Sequence, residues 1–232
     1  MKNCIITGGS HGIGLETAKK FIESGYNVIV LDIKECPLKS AEYICMDLSK
    51  TEDIEKAFKI IEEKYKKVHV LINDGAVASF HKGIEEVLLE DYERILNTNL
   101  RGAYFCAKEF IRLNNGEEYG RIINIASTRF HQNEENVELY GMSKGGIVSM
   151  TNSLCISLTG TPITVNAISP GYICTTDYSK LDKRDHEIHP SNRVGKPRDI
   201  ANVCLFLANE ENDFINGANI IVDGGMTKKM IY

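Results

Sequence analysis

Short β-branched runs alternate with longer helical stretches from one end of the chain to the other. Apolar runs at residues 4–7, 28–31, 43–46, 68–72, 122–125, 163–168 and 218–222 read as seven strands. Their near-continuous hydrophobicity suits strands covered on both faces, as in a parallel sheet. Between them the apolar positions fall at helical spacing. Ile54, Ala57, Phe58, Ile61 and Tyr65 share one helix face, and Ser49 with Glu52 offers a capping box at its start. Pro197 stands where a first helical residue is favoured, ahead of Ile200, Val203, Cys204 and Leu207. The alternation predicts an α/β fold: a doubly wound, seven-stranded parallel sheet with helices on both faces and right-handed crossovers. No linker, repeat or low-complexity block divides residues 1–232, which read as one domain.

Two segments depart from the pattern. The helix after Tyr140 is small-sided, with Gly141, Ser143, Gly145, Gly146 and Ser149. Glycine inside a helix costs about 1 kcal/mol against alanine, so something is expected to approach this helix closely. Residues 174–192 carry seven charged residues in nineteen and no clear period. They read as a long surface loop, a substrate loop that closes as a lid.

Composition narrows the class. The 232 residues hold 43% hydrophobic and 25% charged side chains, which excludes disorder. With 27 Lys and Arg against 32 Asp and Glu, the net charge of −5 argues against a nucleic-acid binder, which needs a basic stripe. No apolar run reaches the roughly 20 residues that cross a bilayer. Met1 to Thr7 meets Gly8 and Gly9 at once and leaves no room for a signal-peptide core, so a cytoplasmic protein is expected. Seven scattered cysteines contain no Cys-x-x-Cys pair and read as core side chains, Cys174 excepted, which sits in polar company and is expected to be exposed. His186 and His189 stand at i, i+3 without a third ligand nearby, and no metal site is expected.

The chemistry begins at the end of the first strand. Thr7-Gly8-Gly9-Ser10-His11-Gly12-Ile13-Gly14 runs directly into a helical pattern. Glycines permit a tight turn and a close backbone approach to a pyrophosphate, whose charge then rests on a helix N-terminus. The spacing is Gly-x-x-x-Gly-x-Gly, and its strand-before, helix-after context makes it a dinucleotide site on a Rossmann-type sheet. Eighteen residues past Gly14, Asp32 closes the second strand. An acid there accepts ribose hydroxyls and repels a 2′-phosphate, so NAD is favoured and NADP is the weaker alternative. Tyr140 and Lys144 stand at i, i+4 on one helix face, and Ser127 ends a strand thirteen residues earlier. A nearby ammonium favours the phenolate, which makes such a tyrosine a general acid/base for a hydroxyl or carbonyl.

These motifs together resemble the short-chain dehydrogenase/reductase family over essentially the whole chain. Thr7-Gly8-x-x-x-Gly12-x-Gly14 is similar to its cofactor loop, and Asp47-Leu48 to its adenine-contacting pair. Asn99, Ser127, Tyr140 and Lys144 match its catalytic group. Pro170-Gly171-Tyr172-Ile173-Cys174-Thr175 resembles the segment that touches the nicotinamide, and Val222-Asp223-Gly224-Gly225 the closing strand and turn. Where the family usually has Asn-Asn-Ala-Gly after the fourth strand, this chain has Asn73-Asp74-Gly75-Ala76. An ionised Asp74 cannot donate a hydrogen bond as an amide does, so a weaker adenosine-side contact and a weaker anchoring of that strand are expected.

The resemblance implies hydride exchange at a carbinol or carbonyl carbon. Tyr140 would carry the proton, Lys144 would hold the nicotinamide ribose, Ser127 would polarise the substrate oxygen, and Asn99 would hold a water joining Lys144 to solvent. Cofactor contacts are expected from Gly8, Ser10, His11, Gly12, Ile13, Gly14, Asp32, Asp47, Leu48, Asn73, Asp74, Gly75, Tyr140, Lys144, Pro170, Gly171, Ile173 and Thr175. The polar substrate loop and the lack of Trp point to a small, polar alcohol, polyol, sugar or hydroxy acid. A homo-oligomer, dimer or tetramer, is expected, with the small-sided helix against its symmetry mate. Two other readings stand beside this one. A non-catalytic dinucleotide sensor or scaffold commonly lacks the tyrosine or lysine that this chain keeps. An extended-branch epimerase or dehydratase usually needs a further C-terminal domain.

Overall fold

The computed structural model describes residues 1–230. In chain order the elements are β1 (Asn3–Thr7), α1 (Gly12–Glu23), β2 (Asn27–Asp32), β3 (Glu42–Cys45), α2 (Thr51–Tyr65), β4 (Val70–Asn73) and α3 (Leu89–Leu96). There follow α4 (Gly102–Asn114), β5 (Gly120–Ile125), α5 (Glu138–Ser157), β6 (Ile163–Pro170), α6 (Lys183–Glu187), α7 (Pro197–Leu207) and β7 (Asn219–Val222). The strands form one sheet in the order β3-β2-β1-β4-β5-β6-β7, and every pair is parallel. This is the doubly wound Rossmann-type sheet that the periodicity predicts.

Successive strand side chains point to opposite faces, and the core follows that rule. Ile5, Ile29 and Leu31 join Phe58 and Ile61 of α2 and Phe110 of α4 on one face. Ile6, Val28 and Val30 join Phe21 of α1 and Ile200, Cys204 and Leu207 of α7 on the other. The chain winds outward from β1 to β3, then crosses to β4 on the other side of β1. The C-terminal ends of β1 and β4 therefore diverge into the crevice where open α/β sheets bind ligands.

Four local expectations need correction. The helix α2 begins at Thr51 behind Lys50, with no side-chain cap. Ser49 is drawn instead to Asp47, whose carboxylate accepts both its hydroxyl (2.7 Å) and its N–H (2.9 Å). Residues 174–192 are not irregular: they hold a short 3-10 turn at Tyr178–Lys180 and the helix α6, capped by Asp177 and Asp182. The charges that argue against burial serve here as caps, with Asp182 accepting the N–H groups of Arg184 and Asp185. Cys174 is buried and Cys45 is the exposed cysteine, because the parallel bridge of Ile173 to Gly195 pulls that stretch inward. On α5, close approach comes from inside the chain. A Cβ on Gly146 would lie 2.7 Å from Leu100 Cδ2 and one on Gly141 would lie 2.4 Å from Asn133 Oδ1, while Gly145 faces open space.

Candidate active site

The glycine-rich loop starts where Thr7 ends β1. Its hydroxyl, aimed across the crevice, accepts the N–H groups of Asp74 (3.2 Å) and Gly75 (3.1 Å). That contact ties the ends of β1 and β4 together and was not read from the sequence; a hydroxyl on the last strand residue before the glycines was its one signal. Gly8 (φ +69°) and Gly12 (φ +54°) take left-handed backbone that favours glycine. Gly14 is needed for space, since a Cβ there would lie 2.3 Å from the Gly8 carbonyl oxygen. The loop is thus a cradle of bare backbone at the N-terminus of α1, with Ile13 half-buried behind it.

Asp32, at the end of β2, is buried beside this loop. Its carboxylate accepts the N–H groups of Ser10 (3.1 Å) and Lys34 (3.0 Å), and the exposed His11 brings Nδ1 to 3.7 Å. Ser10 also donates its hydroxyl to the Lys34 carbonyl, so loop and strand end are locked as a unit. Across the crevice, burial raises the Asp47 carboxyl, but the Ser49 bonds and Lys50 outweigh it and hold the group below its usual range. Leu48 presses on the second turn, with Cδ1 at 2.4 Å from where a Cβ of Gly75 would stand. Gly75 is not among the positive-φ glycines, so its role is this close approach rather than a turn. The anchoring of β4 survives the Asp74 departure, because Asn73 donates to Asn124 Oδ1 at 2.9 Å and Asn124 in turn to Thr151 at 3.0 Å.

The Pro-Gly segment closes the far wall. Pro170 ends β6, the Gly171 N–H bonds the Val222 carbonyl, and a Cβ on Gly171 would lie 2.6 Å from that of Asp223. Ile173 and Thr175 follow, and the Thr175 methyl lies 3.3 Å from the position of a Gly12 Cβ. Segments 163 residues apart in sequence (Gly12 and Thr175) thereby face each other across the crevice.

The catalytic candidates converge at the mouth of β4, β5 and α5. Ser127 lies just past β5 and accepts the Arg129 N–H at 3.2 Å. Tyr140 is half-buried in the first turn of α5. Lys144, one turn on, is buried; its ammonium donates to the Ile125 carbonyl at 2.7 Å and sits 5.6 Å from the centre of the Tyr140 ring. Asn99 lies in a π-helical turn, Asn97–Arg101, that joins α3 to α4 through a bond from the Gly102 N–H to the Asn97 carbonyl. Its amide is largely occupied: it accepts the Val77 N–H (2.7 Å) and donates to the Val77 carbonyl (3.1 Å) and Ser143 hydroxyl (3.1 Å). Ser143 passes the link to the Tyr140 carbonyl at 2.8 Å. The sequence reading missed Ser143, a buried hydroxyl inside Tyr-x-x-Ser-Lys. Among the described residues, no cluster of three or more His, Cys, Asp or Glu is placed to hold a metal ion.

A family model described as enoyl-(acyl carrier protein) reductase matches residues 8–227. The chain belongs to the short-chain dehydrogenase/reductase family. It is 41% identical to an uncharacterized oxidoreductase of Thermotoga maritima, over 100% of this chain and 98% of that one. It is 31% identical to the 3-oxoacyl-[acyl-carrier-protein] reductase MabA of Mycobacterium tuberculosis, over 97% and 92% of the two chains. An apo SCOR enzyme from Clostridium thermocellum superposes with a TM-score of 0.90 at 37% identity, over 100% and 95%. As a family member the chain is of the oxidoreductase type, built to bind a nicotinamide dinucleotide and a small-molecule substrate. Among the described residues, no helix is long and apolar enough to cross a membrane.

Proposed function

We propose that this oxidoreductase uses NAD to exchange a hydride with the carbinol or carbonyl carbon of a small, polar alcohol or ketone. The buried Lys144 carries the reading: its ammonium is held by the Ile125 carbonyl one helical turn from Tyr140. A buried charge with so few partners is costly unless it serves a site, and here it lies beside the Tyr140 ring with the Asp74 carboxyl of the β4 end in its field. The residues fit a dinucleotide, since the glycine cradle has no room for a Cβ at Gly14 and Thr175 overhangs Gly12. The dinucleotide, when bound, supplies the hydride chemistry, and the protein supplies position and electrostatics.

Tyr140 moves the proton to or from the substrate oxygen, and Ser127 orients that oxygen. Lys144 sets a positive charge beside the ring and holds the ribose. Asn99 holds the π-helical turn and, through Ser143, the first turn of α5; it would also hold a water joining Lys144 to solvent. Preference for NAD rests on Asp32, whose carboxylate closes the adenosine end against a 2′-phosphate. The named relatives include both an NADP-dependent alcohol dehydrogenase of Lentilactobacillus kefiri and an NAD-dependent glycerol dehydrogenase of Listeria innocua. A polar substrate is supported by the exposed His131, Gln132 and Asn133 between Ser127 and Tyr140, and by the part-exposed Tyr172.

A panel of polyols, sugars, hydroxy acids and ketones, run with NAD and NADP side by side, tests the reading. With the best pair, Tyr140→Phe is expected to lower kcat by about 10²–10⁴ while NADH still binds, because only the proton carrier is lost. Turnover that survives this substitution nearly unchanged refutes the role of Tyr140. A higher kcat/KM with NADP refutes the reading of Asp32.

A further inference from the structure

Between Ser127 and Tyr140 the chain carries one Arg or Lys, Arg129, against three glutamates, Glu134, Glu135 and Glu138. The main chain of Arg129 is held against both residues proposed to meet the substrate oxygen. Its N–H donates to the Ser127 hydroxyl oxygen at 3.2 Å, where Ser127 caps a 3-10 turn, Thr128–Phe130. Its carbonyl oxygen lies 3.2 Å from the position of a Cβ on Gly141, the residue after Tyr140. The 3-10 turn therefore packs on α5 beside Tyr140.

The guanidinium itself is committed to little. Among the described residues its side-chain hydrogen bonds go to Glu134 alone, from Nη2, and Nε and Nη1 meet no acceptor. A planar fork with open donors matches a carboxylate at two points. The ion pair is lopsided, because the Arg129 side chain is 29% exposed and that of Glu134 61%. A carboxylate standing largely in water holds its partner only a few-fold against solvent, so a carboxylate brought by a ligand can take its place. Glu135 and Glu138 are exposed, and water and salt screen them more than the half-buried guanidinium. The neighbouring ammonium groups are already engaged. Lys144 donates to the Ile125 carbonyl at 2.7 Å. Lys82, whose N–H reaches the Asn136 carbonyl of the same connection, gives its ammonium to Asp91 at 2.6 Å.

We propose that Arg129 reads a carboxylate on the substrate, which makes a short hydroxy acid, or the matching keto acid, the substrate class. Glu134 is the internal carboxylate that such a substrate displaces. The inference rests on the oxidoreductase reading above and names its substrate. The carbinol or carbonyl oxygen meets Ser127 and Tyr140 while the carboxylate, a few bonds away, meets the guanidinium. Held at both ends, the substrate has its reacting carbon fixed in place. A neutral alcohol or polyol leaves Glu134 where it is and gains nothing from Arg129.

The test compares lactate and 3-hydroxybutyrate, each beside its methyl ester, with the polyols, sugars and ketones of the panel above. Wild type is expected to favour acid over ester in kcat/KM. Arg129→Met is expected to lower that acid-to-ester ratio by about 10–10²-fold, mainly through KM, as the loss of a charge-assisted contact predicts. Arg129→Lys, which keeps the charge and loses the fork, is expected to fall between the two. Glu134→Gln is expected to lower the acid KM about two- to fivefold relative to the ester KM, because the competing carboxylate is gone. Butyrate, which lacks the hydroxyl and cannot react, gives a readout besides turnover. Calorimetry in the presence of NADH is expected to show it binding wild type, binding Glu134→Gln more tightly, and losing affinity for Arg129→Met. If the ion pair only braces the loop, every variant changes acid and ester together and butyrate affinity does not follow Arg129; that result overturns the proposal. Turnover of polyols or sugars without turnover of either acid overturns it as well and leaves the oxidoreductase reading intact. No turnover of any compound with either dinucleotide overturns both.

Discussion

Gly14 places the strictest demand of any single residue on the cradle. Its missing Cβ leaves the Gly8 carbonyl only 2.3 Å from where that atom would stand, and a backbone carbonyl cannot swing aside as a side-chain end can. Gly14→Ala is therefore expected to push the loop outward, costing about 1–3 kcal/mol in stability and a larger share in NADH affinity. Paired melting and titration check this, and an alanine variant that binds NADH as tightly as wild type contradicts it. The glycines themselves were legible in the sequence, because a tight turn between strand and helix leaves a local signature. Their partners were not. Thr7 meets Asp74 across 67 residues, and Ser143 meets Asn99 across 44, so both contacts exist only once the sheet is ordered. The capping box misled for a local reason: Asp47, two residues upstream, bids for the Ser49 hydroxyl more closely than the helix does.

At the scale of elements, the stretch from Cys174 to Asn192 divides in two. Its second half is fastened: His186 accepts the Val194 N–H at 3.1 Å, Ser191 donates N–H and hydroxyl to the Gly224 carbonyl at 3.0 Å each, and His189 is buried. The first half reaches the body mainly through the Tyr178 hydroxyl, 2.8 Å from the Val194 carbonyl, and through the ends of Cys174 and Thr175. Ordering backbone costs about 1–2 kcal/mol per residue, and so few contacts offset little of it. Hydrogen exchange is expected to be fast for residues 176–185 in the free protein and slow for 189–195. NAD with substrate is expected to protect the first half, closing it over the crevice as a lid. Equal protection of both halves without ligand makes the segment a fixed wall. Periodicity located this stretch but missed α6, since five residues capped by Asp182 have no apolar face to give a period.

At the scale of the whole molecule, an apolar face beside α5 lies open. A groove of about 730 Å³ runs between the π-helical turn and α5, lined by Tyr92, Leu96, Leu100, Tyr104, Met150 and Leu154. Tyr104 is 50% exposed and Ile156, farther along α5, 74%, which is unusual for side chains of that size. The small residues Ser149 and Ser153 flank the groove, so a second helix can approach that stretch of α5 closely. A two-fold mate would place α5 beside its own copy and bury both grooves at once. The protein is expected to be a homo-oligomer, dimer or tetramer, by light scattering at micromolar concentration. Tyr104→Arg enters a two-fold interface twice and is expected to lower the measured mass. The same elements carry the proposed catalytic group: α5 holds Tyr140 and Lys144, and the π-helical turn holds Asn99, joined to α5 through Ser143. The glycine cradle lies on β1 and α1, outside this face. Dissociation is therefore expected to lower kcat more than NADH affinity. A monomeric wild type, or a Tyr104→Arg protein that loses its mass but keeps full turnover, contradicts the coupling of assembly to catalysis.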